Sequence, residues 1–154
     1  MKILYLAAAN SIHSDKWIKF FANNGADITW ISLTKNEFKT QSNIELIEIE
    51  KGSIFLRIIK AILIVRRLIS IKKPNIVHIH YLGTFALIGF FIFHPNIVCT
   101  AWGSDINSIS KNIFKKYIVR SLLNRSKIVT CDAYYMYEKL KKFIKKDKIK
   151  IINF

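Results

Sequence analysis

Short apolar runs alternate with longer amphipathic segments along the whole chain, and this alternation constrains the fold more than any other feature. Apolar or β-branched runs predict seven strands, at residues 2–8, 27–33, 43–50, 75–81, 96–102, 127–132 and 148–154. The intervening segments predict helices at 14–25, 53–72, 83–93, 108–125 and 133–146. Such alternation is typical of right-handed βαβ units. We therefore expect an α/β fold, a doubly wound, Rossmann-like parallel sheet with helices on both faces in three α/β/α layers.

Several local assignments follow from this pattern. The irregular alternation of 43–50 indicates an edge strand. Ser14 and Asp132 precede helical segments and are the candidate N-caps of their helices. Cys99 and Cys131 fall inside strands, where they predict buried thiols rather than a disulfide or a zinc site. Two reduced thiols fit a reducing compartment.

Length and charge limit the class of protein. A chain of 154 residues with 51% hydrophobic residues suits one globular domain. The net charge of +15 indicates a polyanionic neighbour: nucleic acid, an anionic membrane or a phosphorylated substrate. Compositional drift toward Lys would give the same charge. The apolar runs 3–9 and 85–93 are too short for a secretory signal or a membrane span, so we expect a cytoplasmic chain, soluble or on the membrane surface.

Polar residues follow several predicted strands at their carboxyl ends, which is where parallel sheets bind ligands. "ANSIHS" places Asn10, Ser11 and His13 after the first strand. His80 ends the 75–81 strand, and "WGSD" follows the 96–102 strand. We expect these groups to converge on one crevice. The N-terminal amides of the first helix would suit an anion there.

Three common chemistries lack their motifs. The first turn, "AAANSIHS", has no glycine, which excludes a dinucleotide-binding G-x-G-x-x-G loop. The chain also has no G-x-x-x-x-G-K-S/T loop and no G-x-S-x-G elbow. His78 and His80 share a strand face, but a metal site would also need His13 and further acidic ligands. We expect no metal and no cofactor.

Five motifs occur in the order found in one known family. They are "SIHSDKW" (11–17), "NIVHIHY" (75–81), "WGSDI" (102–106), "SKIVTCDAYYMYEKL" (126–140) and "IKIINF" (149–154). In this order the chain resembles the N-terminal domain of a GT-B glycosyltransferase of family 4. Asn75 stands where the family usually has Asp. The resemblance covers nearly the whole chain, although residues 34–74 add little to it.

The resemblance implies a function. Residues 1–154 would be a single domain, the acceptor-binding half of a retaining glycosyltransferase that uses a nucleotide-sugar donor. The C-terminal donor domain, with its pair of glutamates, is absent from this chain, so the chain alone is expected to be inactive. The acceptor would be a sugar or lipid-linked glycan in bacterial cell-surface polysaccharide or lipopolysaccharide synthesis. The family generally uses no metal.

The resemblance also implies acceptor-binding residues. They are Asn10, Ser11, His13, His80, Trp102, Gly103, Ser104 and Asp105. Trp102 stands where many members have a histidine, and an indole cannot act as a general base. It would stack on a sugar or line the crevice, leaving His13 and His80 to contact sugar or phosphate. The alternative is a structural role, in which Gly103 permits a turn and Ser104 and Asp105 cap the next helix.

The helix at 53–72 carries basic residues along a broad apolar surface. Arg57, Lys60, Arg66 and Arg67 are the candidate contacts with an anionic membrane. An ordinary sheet-covering helix with a solvated basic rim explains the same pattern equally well.

A second class of function is a non-catalytic basic α/β module that binds nucleic acid or anionic membrane. "AYYMYEKLKKFIKK" (133–146) interleaves aromatic and basic residues, as a nucleic-acid surface would. The helical spacing of Tyr134, Tyr137 and Phe143 is better explained by a packed face. We therefore expect no nucleic-acid partner.

Overall fold

The computed structural model describes residues 1–109 and 112–152, except the side chains of 108 and 109. The strands in these ranges are β1 (Lys2–Leu6), β2 (Asp27–Ser32), β3 (Ile44–Glu48), β4 (Ile76–His80), β5 (Ile97–Thr100), β6 (Ile128–Cys131) and β7 (Ile149–Ile151). The α-helices are α1 (Ile12–Asn23), α2 (Ile54–Lys72), α3 (Thr84–Phe90), α4 (Ser104–Ile109), α5 (Ile113–Arg125) and α6 (Tyr134–Leu140). A 3₁₀ turn spans Lys146–Lys148.

The strands form a seven-stranded parallel sheet in the order β3-β2-β1-β4-β5-β6-β7. Helices complete a three-layer α/β/α, Rossmann-like fold, which confirms the predicted fold class. The edge position predicted for the 43–50 strand is confirmed by β3. No helix in the described ranges is both long and apolar enough to span a bilayer.

The chain divides into two compact units, residues 1–78 and 79–154, and the prediction of a single domain stays a prediction. In the first unit, β1 pairs with β2 from Lys2↔Asp27 to Leu6↔Ile31. Its apolar core consists of Ile3, Tyr5, Ala7, Ala9, Ile18, Ala22, Ala26, Ile28, Trp30 and Ile44. Most of these residues come from α1 and the strands, so burial of the strands accounts for their continuous apolar character.

The long helix α2 has well-defined ends in the first unit. Ser53 caps its start, where the side-chain oxygen accepts a hydrogen bond from the Leu56 N–H. Lys73 ends it in the left-handed conformation, with φ 47°, and donates its N–H to the Ile69 carbonyl. Of its side chains, only Ala61 and Val65 are fully buried, so most of α2 faces outward.

In the second unit, α3 and α5 pack closely. A Cβ added to Gly89 of α3 would lie 2.5 Å from Ile79 Cδ1 and 3.0 Å from Leu122 Cδ2. Arg125, at the end of α5, donates hydrogen bonds to the carbonyls of Gly89, Phe90 and Ile92. The guanidinium thereby binds the last two carbonyls of α3 and the carbonyl of Ile92 just beyond the helix.

Two predicted caps are wrong. The first helix begins at Ile12, so Ser11 occupies the N-cap position and Ser14 is buried inside the first turn. The cap position of α6 is Ala133, one residue after Asp132. Both predictions rest on the capping propensity of single residues, which does not define the first residue of a helix.

Other predicted boundaries also differ. The 108–125 segment corresponds to α5 with a separate short α4 before it, and the 83–93 helix ends at Phe90. The 133–146 helix ends at Leu140, where the lysines that follow would repel one another at four-residue spacing. Residues 110, 111, 153 and 154, covered by the 108–125 and 148–154 predictions, lie outside the described residues.

Candidate functional site

In the first unit, the loop after β1 is fixed by hydrogen bonds. The Ala9 N–H donates to Ser32 Oγ at 2.9 Å and to Thr34 Oγ1 at 3.0 Å. Thr34 Oγ1 in turn donates to Asn10 Oδ1 at 3.1 Å. The Trp30 indole N–H donates to the Ala7 carbonyl at 2.9 Å. This network orders the strand-to-helix turn and leaves Asn10 exposed at its surface.

Ser11 and His13 lie where the turn becomes α1. Ser11 has an extended backbone, with φ −101° and ψ 121°, and its hydroxyl makes no capping hydrogen bond with any described residue. His13 is exposed on the first helical turn, and Asp15, in the same turn, pairs with Lys19 at 2.8 Å. The structure therefore brings Asn10, Ser11 and His13 together on one exposed turn.

His78 belongs to the core. Its ring lies 4.6 Å from the Tyr5 ring and 5.5 Å from that of Trp17, measured between centroids. Complete burial lowers its pKa from 6.5 to about 3, because a charged imidazolium would lose its hydration there. His78 is thus a neutral packing residue of the core.

In the second unit, Asp105 joins two loops. Its side chain is 0% exposed. Oδ2 accepts the Leu82 N–H at 2.7 Å, and both carboxylate oxygens accept the Trp102 N–H, at 3.1 and 3.2 Å. Oδ1 also accepts the N–H of Ile106 at 2.8 Å. Burial raises the pKa of Asp105, and these backbone donors partly offset that effect.

This arrangement corrects the expectation that Asp105 contacts an acceptor directly. A carboxylate with no exposed surface and several backbone donors holds the chain in place rather than binding a ligand. Asp105 is a positioning residue: it connects the loop after β4 with the loop after β5. Its place in the first turn of α4 also puts its negative charge near the positive end of that helix.

Trp102 and His80 lie beside each other, with ring centroids 5.8 Å apart. His80 is buried, whereas the Trp102 side chain is half-buried. Gly103 follows with φ 82°, a left-handed conformation, and a Cβ there would lie 3.1 Å from Met136 Sδ. Ser104 is exposed and begins α4. Trp102 and Ser104 therefore supply the accessible side chains of this turn.

Tyr81 is a residue that the sequence analysis did not assign to the site. It follows β4 with φ 66°, a left-handed conformation that costs a non-glycine residue about 1–2 kcal/mol. Its N–H donates to the Thr100 carbonyl at 3.0 Å, and its partly exposed ring packs over Gly83. Such strain clusters at functional sites. Only its position directly after His80 could have indicated it.

The basic residues predicted to contact a membrane differ in environment. Arg57 is half-buried, and its Nη1 donates to the Leu33 carbonyl at 2.8 Å. Lys60, Arg66 and Arg67 are exposed. Exposed apolar residues accompany them on α2: Ile54, Phe55, Leu56, Ile59, Leu63 and Ile71. Arg57 therefore ties α2 to the loop after β2, while the other three face solvent.

Metal-ligating side chains do not cluster. Within the described residues, no three His, Cys, Asp or Glu side chains form a group able to hold a metal ion. Both cysteines are buried free thiols, as predicted. Burial raises the pKa of Cys99 to about 12, so it stays protonated beside the Ser126 hydroxyl, 3.2 Å away.

The sheet order and the strand-end turns define a Rossmann-like domain of the GT-B type. A family model described as "Glycosyl transferase 4-like" matches residues 2–133. The chain belongs to this family. None of the curated proteins matched the sequence.

Solved structures show the same fold at low sequence identity. Sucrose-phosphate synthase from Thermosynechococcus elongatus superposes with a TM-score of 0.75 and 9% identity, covering 99% of this chain and 48% of that one. The lipopolysaccharide outer core galactosyltransferase WaaB superposes with a TM-score of 0.63 at 12% identity, and the match covers 99% of this chain and 45% of WaaB. The UDP-GlcNAc 2-epimerase from Methanocaldococcus jannaschii superposes with a TM-score of 0.69 at 14% identity, and the match covers 99% of this chain and 45% of the epimerase. The chain thus spans less than half of each of these structures.

Proposed function

We propose that this chain is the acceptor-binding half of a retaining glycosyltransferase that transfers a sugar from a nucleotide-sugar donor to a glycan or lipid-linked acceptor. The match to the glycosyltransferase family over residues 2–133 carries the proposal. The fraction of each neighbour covered, 45–48%, fits a donor-binding half outside this sequence. The galactosyltransferase neighbour suggests bacterial lipopolysaccharide or cell-surface polysaccharide as the pathway.

The accessible strand-end residues would contact the acceptor. Asn10, Ser11 and His13 offer an amide, a hydroxyl and an imidazole on one ordered turn. Trp102 offers an indole face, which suits the apolar face of a sugar ring, and Ser104 a hydroxyl. Gly103 and Asp105 shape the second turn, and His80 supports Trp102. No metal or cofactor is part of the proposal.

Isothermal titration of the chain with UDP- and GDP-sugars tests where the donor binds. We expect no measurable heat of binding, because the donor half is assigned to another part of the protein. Micromolar binding of either sugar nucleotide would contradict that assignment. The same chain is expected not to transfer sugar by itself.

An immobilised set of bacterial surface glycans tests acceptor binding. Wild type should be retained on at least one glycan class, and Trp102→Ala should lose most of that retention. Phe93→Ala, which removes an exposed aromatic side chain elsewhere, is the matched control and should bind normally. Equal retention of Trp102→Ala and wild type would remove Trp102 from the site.

We also propose that α2 binds the cytoplasmic face of an anionic membrane through Lys60, Arg66 and Arg67. Arg57 would hold the helix in place through its hydrogen bond to the Leu33 carbonyl. The exposed apolar residues beside them support this proposal. Reversing Arg66 and Arg67 to Glu should weaken sedimentation with phosphatidylglycerol vesicles, and unchanged sedimentation would reject it. Tight binding of single-stranded nucleic acid at physiological salt would instead favour the non-catalytic module.

A further inference from the structure

The first turn of α6 exposes two tyrosine rings that the proposed acceptor site does not use. Tyr134 is 67% exposed and Tyr135 is 61% exposed. The spacing of Tyr134, Tyr137 and Phe143 indicates a packed face. Tyr137 and Phe143 are partly buried, in agreement with that interpretation, but Tyr134 is not. A packed face therefore does not account for the two exposed rings.

The helix α6 begins beside the turn that carries Trp102. β5 and β6 are parallel neighbours, so their carboxyl ends lie at the same edge of the sheet. The sulfur of the buried Met136 would lie 3.1 Å from a Cβ on Gly103. The Lys139 ammonium donates a hydrogen bond to Asn107 Oδ1, which joins α6 to α4. The exposed rings thus belong to the two residues directly before the one that packs against the Trp102 turn.

Contacts within α6 hold both rings in place. The Tyr134 ring stacks on that of Tyr137, with centroids 5.6 Å apart and planes inclined by 21°. The Lys139 ammonium lies 4.3 Å from the Tyr135 ring centroid, and its hydrogen bond to Asn107 fixes it there. Rings that are ordered before binding lose less entropy when a ligand stacks on them. The first turn of α6 therefore presents a preformed aromatic surface.

The chemistry of this surface suits a sugar residue. A pyranose ring has a face of C–H groups, which can stack on an aromatic ring, and hydroxyls around its edge. Tyr134 and Tyr135 supply rings and hydroxyls, while Lys139 and Asn107 supply hydrogen-bonding groups beside them. A nucleotide base would also stack on tyrosine. The position beside Trp102 favours the sugar, because a glycan that lies on the indole can reach α6 with its next residue.

We propose that Tyr134 and Tyr135 form a second sugar subsite, which binds the acceptor residue next to the one on Trp102. This inference rests on the proposed function, because it assumes that an acceptor sugar lies on Trp102. It makes the acceptor a glycan of at least two sugar residues rather than a monosaccharide. Tyr134 and Tyr135 are then specificity-determining residues for the length of the acceptor.

Binding of glycans of different length tests the second sugar subsite. The probes are immobilised mono-, di- and tetrasaccharides from bacterial cell-surface polysaccharides. Tyr134→Ser/Tyr135→Ser should weaken binding of the di- and tetrasaccharides at least about fivefold and leave monosaccharide binding unchanged. Tyr134→Phe/Tyr135→Phe keeps both rings and should bind like wild type. The matched control is Phe114→Ser/Tyr117→Ser, which removes two exposed rings from α5 and should also bind like wild type.

The outcomes separate this inference from the proposed function. Loss of glycan binding in Trp102→Ala but not in the serine variant of α6 would reject the subsite and leave the acceptor site in place. Loss in the serine variant alone would contradict a site shared with Trp102. An equal loss on mono- and tetrasaccharides would also reject the subsite, because a second subsite cannot affect a single sugar. No binding of wild type to any glycan would reject both proposals.

A single-stranded DNA oligonucleotide is the competing probe. The serine variant should bind it as wild type does, because the rings are assigned to a sugar. Loss of oligonucleotide binding in this variant, with glycan binding retained, would make the first turn of α6 a nucleic-acid surface and overturn the proposal.

Discussion

The backbone N–H of Leu82 donates a 2.7 Å hydrogen bond to Oδ2 of Asp105, a residue 23 positions further along the chain. The same carboxylate accepts the N–H of Trp102. One buried side chain therefore sets the relative position of two strand-end loops. The accessible groups of these loops, Tyr81, Trp102 and Ser104, depend on a residue that itself reaches no solvent.

Removing this carboxylate should destabilise the fold. Asp105→Ala leaves several buried backbone N–H groups without their acceptor, and we expect a loss of about 2–4 kcal/mol in the free energy of unfolding. Chemical denaturation measures the change. Ser104→Ala, at the exposed neighbouring position, should cost less than about 0.5 kcal/mol. Equal stability of the two variants would show that the carboxylate does not hold the loops.

Asp105 should also give the protein a distinct pH dependence. Because burial raises its pKa above the ordinary value of 3.8, the native state retains this proton to higher pH than the unfolded state. Its contribution to stability is present below 3.8 and is lost as the pH rises through the folded pKa. Relative to Asp105→Asn, wild type should therefore lose stability as the pH rises from 3.8. A stability difference independent of pH would argue against the raised pKa.

His78 should make the protein less stable as the pH falls, the opposite of the effect of Asp105. Its pKa falls from 6.5 to about 3 in the folded state, so the unfolded state takes up a proton first when the pH is lowered. Stability should fall by about 1 kcal/mol between pH 6.5 and 5.5 from this residue alone. His78→Phe should remove that part of the loss, whereas His13→Gln, at an exposed position, should retain it. The same acid sensitivity in His78→Phe and wild type would contradict the prediction.

The two cysteines should be unreactive in the native state. Burial raises the pKa of Cys99 to about 12 and also raises that of Cys131. A thiol reagent needs an accessible thiolate, so native protein at pH 8 should react far more slowly than protein unfolded in guanidinium. Phe114→Cys supplies an exposed thiol as the positive control and should react at once. Rapid native labelling of Cys99 would mean that β5 opens readily.

At position 81, a glycine variant should be more stable than an alanine variant, the reverse of the usual order. At φ 66° alanine keeps the backbone strain and glycine relieves it, so Tyr81→Gly should be more stable than Tyr81→Ala by about 1 kcal/mol. At Tyr134, in the first turn of α6, alanine should be the more stable replacement. Thermal unfolding of the four variants provides the comparison. Greater stability of Tyr81→Ala than Tyr81→Gly would contradict the left-handed assignment.

The layers of the fold were predictable because burial on both faces makes parallel strands continuously apolar, and the family match adds to that reading. The roles of single polar residues could not be predicted from the sequence. Asp105 was predicted to contact the acceptor, and its hydrogen bond from the Leu82 N–H was not foreseen because only the folded chain brings Leu82 near. Nothing in the sequence around Arg125 indicates that its guanidinium binds the carbonyls of Gly89 and Phe90 in α3. Non-local hydrogen bonds leave no periodic signal.

The hydrogen bonds from Arg125 to the end of α3 have a consequence for folding. A seven-residue helix such as α3 is too short to be stable alone in water. The carbonyls of Gly89 and Phe90 receive their hydrogen bonds from Arg125 only after α5 has formed and its C-terminal residue has docked. The two helices should therefore appear together during refolding, as one cooperative unit with a common hydrogen-exchange protection. A single guanidinium then determines when the segment between Thr84 and Phe93 becomes native.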